Sequence, residues 1–207
     1  MYYLFWGLME AFQEYFKPGF LEVITGPMNS GKTEAFISHF NKLRFVSGLK
    51  FQVFKPIIDD RFSKTEIASK NGSLLKCTCV DHKNPMQILS KLDEDTDVIG
   101  IDEINFFNKD ILLLLEQLVG KGKHVIVSGL DLDFRGEPFG AMGEILCSAD
   151  KVTKLFAVCE YDGCRASATR TQRLINGVPA KYYSPTILVG DKEYYQARCK
   201  KHHIVEK

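Results

Sequence analysis

Three groups of residues have types and spacings that can do chemistry. The first is the stretch "GPMNSGKT", in which Gly26, Gly31, Lys32 and Thr33 follow the pattern G-x-x-x-x-G-K-T. Its glycines let successive backbone N–H groups turn inward and form a nest of partial positive charge at a helix N-terminus. Lys32 then supplies a point charge for β- and γ-phosphates, and the Thr33 hydroxyl a ligand for Mg²⁺. At ordinary glycine usage the eight-position pattern arises by chance in roughly one chain in a hundred of this length.

The second group is the pair Asp102 and Glu103, at the end of the apolar run "VIGIDE". A magnesium ion wants oxygen ligands where strand ends meet phosphates, so Asp102 would hold it, directly or through water. Glu103 points elsewhere and is free to act as a base. The third group comprises Cys159, Cys164, Cys199 and His202, two ligand pairs of the kind that pins a small β unit around a closed, tetrahedral zinc ion. His203 is an alternative to His202. Cys77, Cys79 and Cys147 read as structural, and without a signal peptide the six cysteines do not read as a disulfide framework.

Elements must hold these groups in place. Leu21–Ile24 reads as a strand running into the glycine loop, and Lys32–Phe45 as the helix after it, with Ala35, Phe36, His39 and Phe40 at helical spacing. "FQVF" at Phe51–Phe54 is expected to cross back as a neighbouring strand in a right-handed βαβ unit. The runs Asp97–Asp102, Asp110–Leu118 and His124–Leu130 continue the alternation as strand, helix and strand. This predicts an α/β fold with a parallel sheet covered by helices on both faces. After about Asp150 the texture changes: "KVTKLFAV" and "PAKYYSPTILVG" are β-rich runs with the turn Asn176-Gly177 between them. The expected division is 1–18, an aromatic extension; 19–150, the nucleotide-binding unit; and 151–207, a metal-pinned unit.

Composition narrows the classes. A chain of 207 residues, 45% hydrophobic and 26% charged, can bury a full core. A formal net charge of +1 without a basic stripe argues against nucleic acid as partner. No run approaches eighteen uninterrupted apolar residues, so no membrane span is expected. The start, "MYYLFWGLMEAFQEYF", lacks a basic n-region and carries Glu10 and Glu14, so it does not read as secretory. It reads as a short amphipathic helix packing on the body or on another subunit, with membrane-surface binding disfavoured by its acidic polar face. A true start at Met9 is a further alternative.

In order along the chain, "GPMNSGKT", "KPIIDDRF", "DEINFF", "GLDLDFRGEPFG", "CRASATRTQRL" and "VGDKEYYQARCKKH" resemble the successive motifs of the zinc-containing, cytosolic-type thymidine kinases. The resemblance spans Gly19 to His202. It implies a RecA-like P-loop domain plus a zinc-anchored domain whose lasso loop covers a nucleoside, and transfer of the γ-phosphoryl group of ATP to thymidine or deoxyuridine. By matching motifs Glu103 is the base, Arg61 lies near the transferring phosphoryl group, and Asp59 supports the metal or the base. The implied ATP site comprises Gly26, Pro27, Met28, Asn29, Ser30, Gly31, Lys32, Thr33, Asp59, Arg61, Asp102, Glu103, Ile104 and Asn105.

The implied nucleoside site has Phe134 against the base and Met28, Leu130 and Thr171 around the thymine methyl. The lasso residues Thr186, Ile187, Leu188, Val189 and Gly190 would bond the base edges through their main chain, with Tyr195 closing the site. Taken singly, Phe134 and Met28 read equally as core, and Arg61 as a surface charge. Two departures stand out: Cys-x4-Cys at 159–164 where the family has Cys-x2-Cys, and Asn105 where it has Gln. The resemblance also implies a cytoplasmic homotetramer with feedback inhibition by dTTP. A kinase for another deoxynucleoside and an ATP-dependent switch or nucleic-acid-associated ATPase are the competing readings.

Overall fold

The computed structural model describes residues 16–57, 65–187 and 193–206. The aromatic run before Phe16, together with Asp59, Arg61, Leu188, Val189 and Gly190, lies outside them.

Six strands form one parallel sheet: β1 (Phe20–Thr25), β2 (Phe51–Ile57), β5 (Thr78–Asp81), β6 (Val98–Ile101), β7 (His124–Gly129) and β8 (Lys151–Lys154). Their spatial order is β5-β2-β6-β7-β1-β8. β6 and β7 are buried at every residue, as expected of central parallel strands covered on both faces. Alternation divides their side chains between two cores. Leu21, Val23, Ile99, Ile101, Val125 and Val127 face one core, and Ile24, Val98 and Ile126 the other.

The second core is closed by α1 (Lys32–Leu43), which buries Phe36, Ile37, Phe40 and Leu43 at helical spacing. Here β6 carries Gly100, and a Cβ at that position would lie 2.5 Å from the ring of Phe40. The missing side chain lets the helix sit directly on the sheet. A hairpin of β3 (Glu66–Ala68) and β4 (Leu74–Lys76) adds Ile67 and Leu75 to this core. Across the sheet, α2 (Gln87–Lys91), α3 (Asp110–Gly120) and α4 (Met142–Ser148) cover the first core with Ile88, Ile111, Leu114, Leu115, Leu118 and Ile145.

Two expectations are corrected. β2 is not the neighbour of β1, because β7 and β6 stand between them. The α1 crossover therefore spans two strand positions, and the carboxylate-bearing strand β6 is separated from the phosphate-loop strand by β7 alone. The run 151–154, grouped by composition with the C-terminal segment, pairs in parallel with β1 and completes the main sheet.

Beyond β8 the chain builds two small antiparallel sheets. One pairs β9 (Ala157–Val158) with β10 (Ser167–Ala168); the other has the order β12-β11-β13, from β11 (Arg170–Ile175), β12 (Val178–Pro179) and β13 (Glu193–Arg198). The turn between β11 and β12 is Asn176-Gly177, both residues at positive φ (52° and 81°), the conformation a two-residue hairpin demands. The stretch "PAKYYSPTILVG" is not a strand over its described length. After Pro179 it makes only an isolated bridge, Lys181 to Glu206, and runs as a loop to Ile187.

Candidate active site

The loop from Gly26 to Gly31 joins the end of β1 to the start of α1. Gly26 has φ 147°, and a Cβ there would stand 2.5 Å from the Leu155 carbonyl oxygen, so only glycine fits. Asn29 (φ 61°) and Gly31 (φ 83°) are also left-handed, which curls the backbone into the helix N-terminus. Lys32 is buried, and its ammonium turns back over the loop to donate to the Pro27 carbonyl at 2.7 Å. Burial lowers its pKa, opposed by the charges of Glu103, Asp102, Asp131 and Glu34, so cation and carboxylates converge on one spot.

At the end of β6, Asp102 is buried, and burial raises its pKa, opposed by the neighbouring Ser128 hydroxyl, the Glu103 backbone and the charges of Lys32 and Lys55. Glu103 takes φ 52°, ψ 38°, a conformation a glutamate adopts at a cost of about 1 kcal/mol. That turn sends the chain into a 3₁₀ turn at Ile104–Phe106 and aims the two adjacent carboxyl groups differently. Burial, reinforced by the Asp102 charge, pushes the Glu103 carboxyl up to about 7 against the pull of Lys32 and Lys55. A carboxylate poised there is suited to accepting a proton near neutral pH.

Asn105, 2% exposed, accepts a hydrogen bond from the Leu130 backbone N–H at 2.9 Å. Its amide fits because Gly129 lacks a side chain, a Cβ there lying 2.6 Å from Asn105 Oδ1; the bare Gly140 likewise clears the Asn105 backbone carbonyl, 2.7 Å from where its Cβ would stand. Asn105 therefore fixes the chain where β7 ends, at Leu130.

The residues expected around the base collect beyond that point. The Met28 N–H of the phosphate loop donates to Thr171 Oγ1 on β11 at 3.1 Å, which joins the two expected subsites directly. Phe134 is buried, with the Arg173 guanidinium 3.6 Å and that of Arg135 4.6 Å from its ring centroid. Arg135 also donates to Thr186 Oγ1 at 2.8 Å. Tyr195 pairs with Arg173 across the β11–β13 ladder, and Ile187 is exposed at the end of the described loop.

Cys159, Cys164, Cys199 and His202 meet with all four ligand atoms within 4.8 Å of one another. Tetrahedral zinc with bonds of about 2.0–2.3 Å holds its ligand atoms roughly 3.3–3.8 Å apart, so the donor set fits that ion in chemistry and size. His202 presents Nδ1, 3.7 Å from Cys159 Sγ and 3.4 Å from Cys199 Sγ, with the Tyr161 ring stacked 4.1 Å above it. His203 turns away, its Nε2 2.8 Å from the Phe134 carbonyl oxygen. The two additional residues of Cys-x4-Cys form a turn closed from the Cys164 N–H to the Tyr161 carbonyl. Glu160, just before that turn and next to Cys159, accepts from Asn29 Nδ2 and from the Ala197 N–H, both at 2.7 Å, while Asn29 Oδ1 accepts from Lys70 Nζ at 2.5 Å.

A family model described as thymidine kinase matches residues 19–203. The chain belongs to the thymidine kinase family. It is accordingly an enzyme, a nucleoside kinase, and its parallel six-stranded α/β sheet and Cys₃His cluster are consistent with a thymidine kinase fold. Among the described residues no helix is long and apolar enough to cross a membrane.

Several residues around the expected site escaped the sequence reading. Lys55 donates to the Glu66 carbonyl at 2.7 Å while its charge acts on both carboxylates. Arg135 and Arg173 hold Phe134, and Glu160 touches the phosphate loop. Lys55 opens "KPIIDDRF" and Arg135 follows Phe134 within "DLDFRG", so the motifs themselves carried the signal for these two. Arg173 likewise lies within "CRASATRTQRL", whereas Glu160 falls outside the quoted motifs.

Proposed function

We propose that the protein transfers the γ-phosphoryl group of ATP to the 5'-hydroxyl of thymidine, and of deoxyuridine, giving dTMP for DNA synthesis by salvage. The observation that carries this reading is the Met28–Thr171 hydrogen bond. Through it the loop suited to phosphates and the strand bearing the expected base pocket share one wall, within reach of Glu103. Family membership supports ATP and thymidine as the substrates.

In this reading Glu103 accepts the proton of the attacking hydroxyl, and its raised pKa keeps that transfer balanced near neutrality. Lys32 and Arg61 face the charge spread over the phosphoryl oxygens. Thr33, Asp59 and Asp102 would hold Mg²⁺, which when bound neutralises phosphate charge. Phe134, Leu130 and Met28 form the flat apolar slot, Thr186–Gly190 offer main-chain groups to the base edge, and Tyr195 closes the pocket. Cys159, Cys164, Cys199 and His202 would hold a structural zinc ion. The resemblance further supports a cytoplasmic homotetramer inhibited by dTTP.

The test is to incubate purified protein with ATP, Mg²⁺ and labelled thymidine, with deoxycytidine and no nucleoside as parallel arms. Selective formation of thymidine monophosphate is the expected result. Selective phosphorylation of deoxycytidine would reassign the substrate, and ATP hydrolysis without a nucleoside product would replace the reading with an ATPase.

A further inference from the structure

Arg173 is the largest fully buried side chain among the described residues, with 0% exposure, and no ion pair with a carboxylate is found for it among them. Removing a guanidinium from water without a counter-ion is costly, so what surrounds it has to stabilise the charge. The ring of Phe134 lies 3.6 Å from its Cζ, a close cation–π contact. Its Nη1 donates to the Pro185 carbonyl at 2.6 Å and to the Thr186 carbonyl at 3.4 Å. Its Nε and Nη2 are buried without a hydrogen-bond partner among the described residues.

Arg135 approaches the same ring from a different anchorage, since it pairs with Asp133 at 2.7 Å. It donates to the carbonyls of Tyr182 and Ser184, each at 2.7 Å, and to Thr186 Oγ1 at 2.8 Å. Tyr182 is tied to Glu206 by its N–H, next to the Lys181–Glu206 bridge, and to Glu137 by its hydroxyl; from Tyr183 to Thr186 the loop lies in no strand, and these two guanidinium groups are its main-chain anchors to the rest of the fold among the described residues.

We propose that Arg173 is a positioning residue for nucleoside recognition: it fixes the root of the lasso and the plane of the Phe134 ring together. This rests on the reading that Phe134 and Thr186–Gly190 receive the base. A slot for a flat, neutral pyrimidine works only if its stacking face and its main-chain donors and acceptors keep a constant separation. One rigid planar group bonded to both achieves that, and a lysine's point charge cannot. The Nε N–H and the two Nη2 N–H bonds, without partners among the described residues, leave Arg173 donors for a further acceptor when the site fills.

The test compares wild type with Arg173→Lys in steady-state kinetics, and in hydrogen exchange of Tyr182–Ile187 measured without nucleoside. The expected result is a thymidine KM raised about tenfold or more, an ATP KM within about twofold of wild type, and faster exchange confined to that loop. Should Arg173→Lys fail to fold, Arg173→Gln leaves no unpaired buried charge and is read the same way. An unchanged thymidine KM, KM values for both substrates rising together, or unaltered exchange would each overturn the proposal. Because the exchange measurement needs no substrate, it judges the clamp even if wild type phosphorylates a different nucleoside.

Discussion

The proposed phosphate end and the proposed nucleoside end of this site are built by opposite means. At the phosphate end, short contiguous segments, 26–32 and 102–105, are shaped by their own backbone: Gly26, Asn29, Gly31 and Glu103 all sit at positive φ. At the nucleoside end, side chains bridge distant segments, with 143 residues between Met28 and Thr171 and 51 between Arg135 and Thr186. Phosphates need charge at fixed points, which a curled backbone supplies. A base needs a slot of set width, which in the proposed reading depends on guanidinium clamps and a cysteine–histidine knuckle.

The comparison can be broken most sharply at Glu103. Glu103→Gln should cut turnover roughly 10²–10⁴-fold while ATP and thymidine binding persist, as read by single-turnover kinetics and calorimetry. Near-normal turnover would remove it from the base role. Next in size, Gly26→Ala forces a Cβ against the Leu155 carbonyl and should cost about 10²-fold or more in ATP affinity. Ile187→Ala, at an exposed side chain whose main chain is what matters, should change thymidine KM less than about threefold. Equal losses in the two variants would erase the distinction between the ends.

Metal removal comes third. Chelation, or Cys199→Ser, should loosen the C-terminal unit and weaken thymidine binding about tenfold or more, exceeding the effect on ATP, by calorimetry on each ligand. The smallest effect is in pH. The Glu103 carboxyl is raised from its usual range to about 7, so its neutral form is the one favoured by folding. Its stabilising contribution is complete below about pH 4.5 and is lost as pH rises through about 7. Glu103→Gln should therefore raise the thermal midpoint at pH 8 and leave it nearly unchanged at pH 5. In wild type, kcat/KM should climb as pH rises through about 7.

Legibility in the sequence follows the same line. The glycine loop and acidic pair were readable because local backbone geometry demands particular residues at fixed spacing. Strand order was not: "FQVF" is equally apolar wherever it pairs, and only the insertion of β6 and β7 decides its neighbours. "KVTKLFAV" looked foreign to the main sheet because β8 is an edge strand with exposed lysines. The loop 180–187 carries the aromatics of a strand, yet it is held by arginines from elsewhere. Arg173 lies inside the motif "CRASATRTQRL", but its burial was not legible, because an arginine between Gln172 and Leu174 reads as a solvated strand residue and no local rule predicts a buried one. The Cys₃His set was legible through its ligand types, and the structure separates His202 from His203, which spacing left open.

Glu160 gives the knuckle a reach beyond its own fold. Its carboxylate accepts from the phosphate-loop residue Asn29 and from the Ala197 N–H beside Cys199, and Asn29 in turn accepts from Lys70 of the hairpin. The cluster and the loop therefore share one hydrogen-bonded element. In the proposed reading thermodynamic linkage makes them reciprocal effectors: whatever factor an ion in the cluster contributes to nucleotide affinity, a nucleotide in the loop returns to the ion.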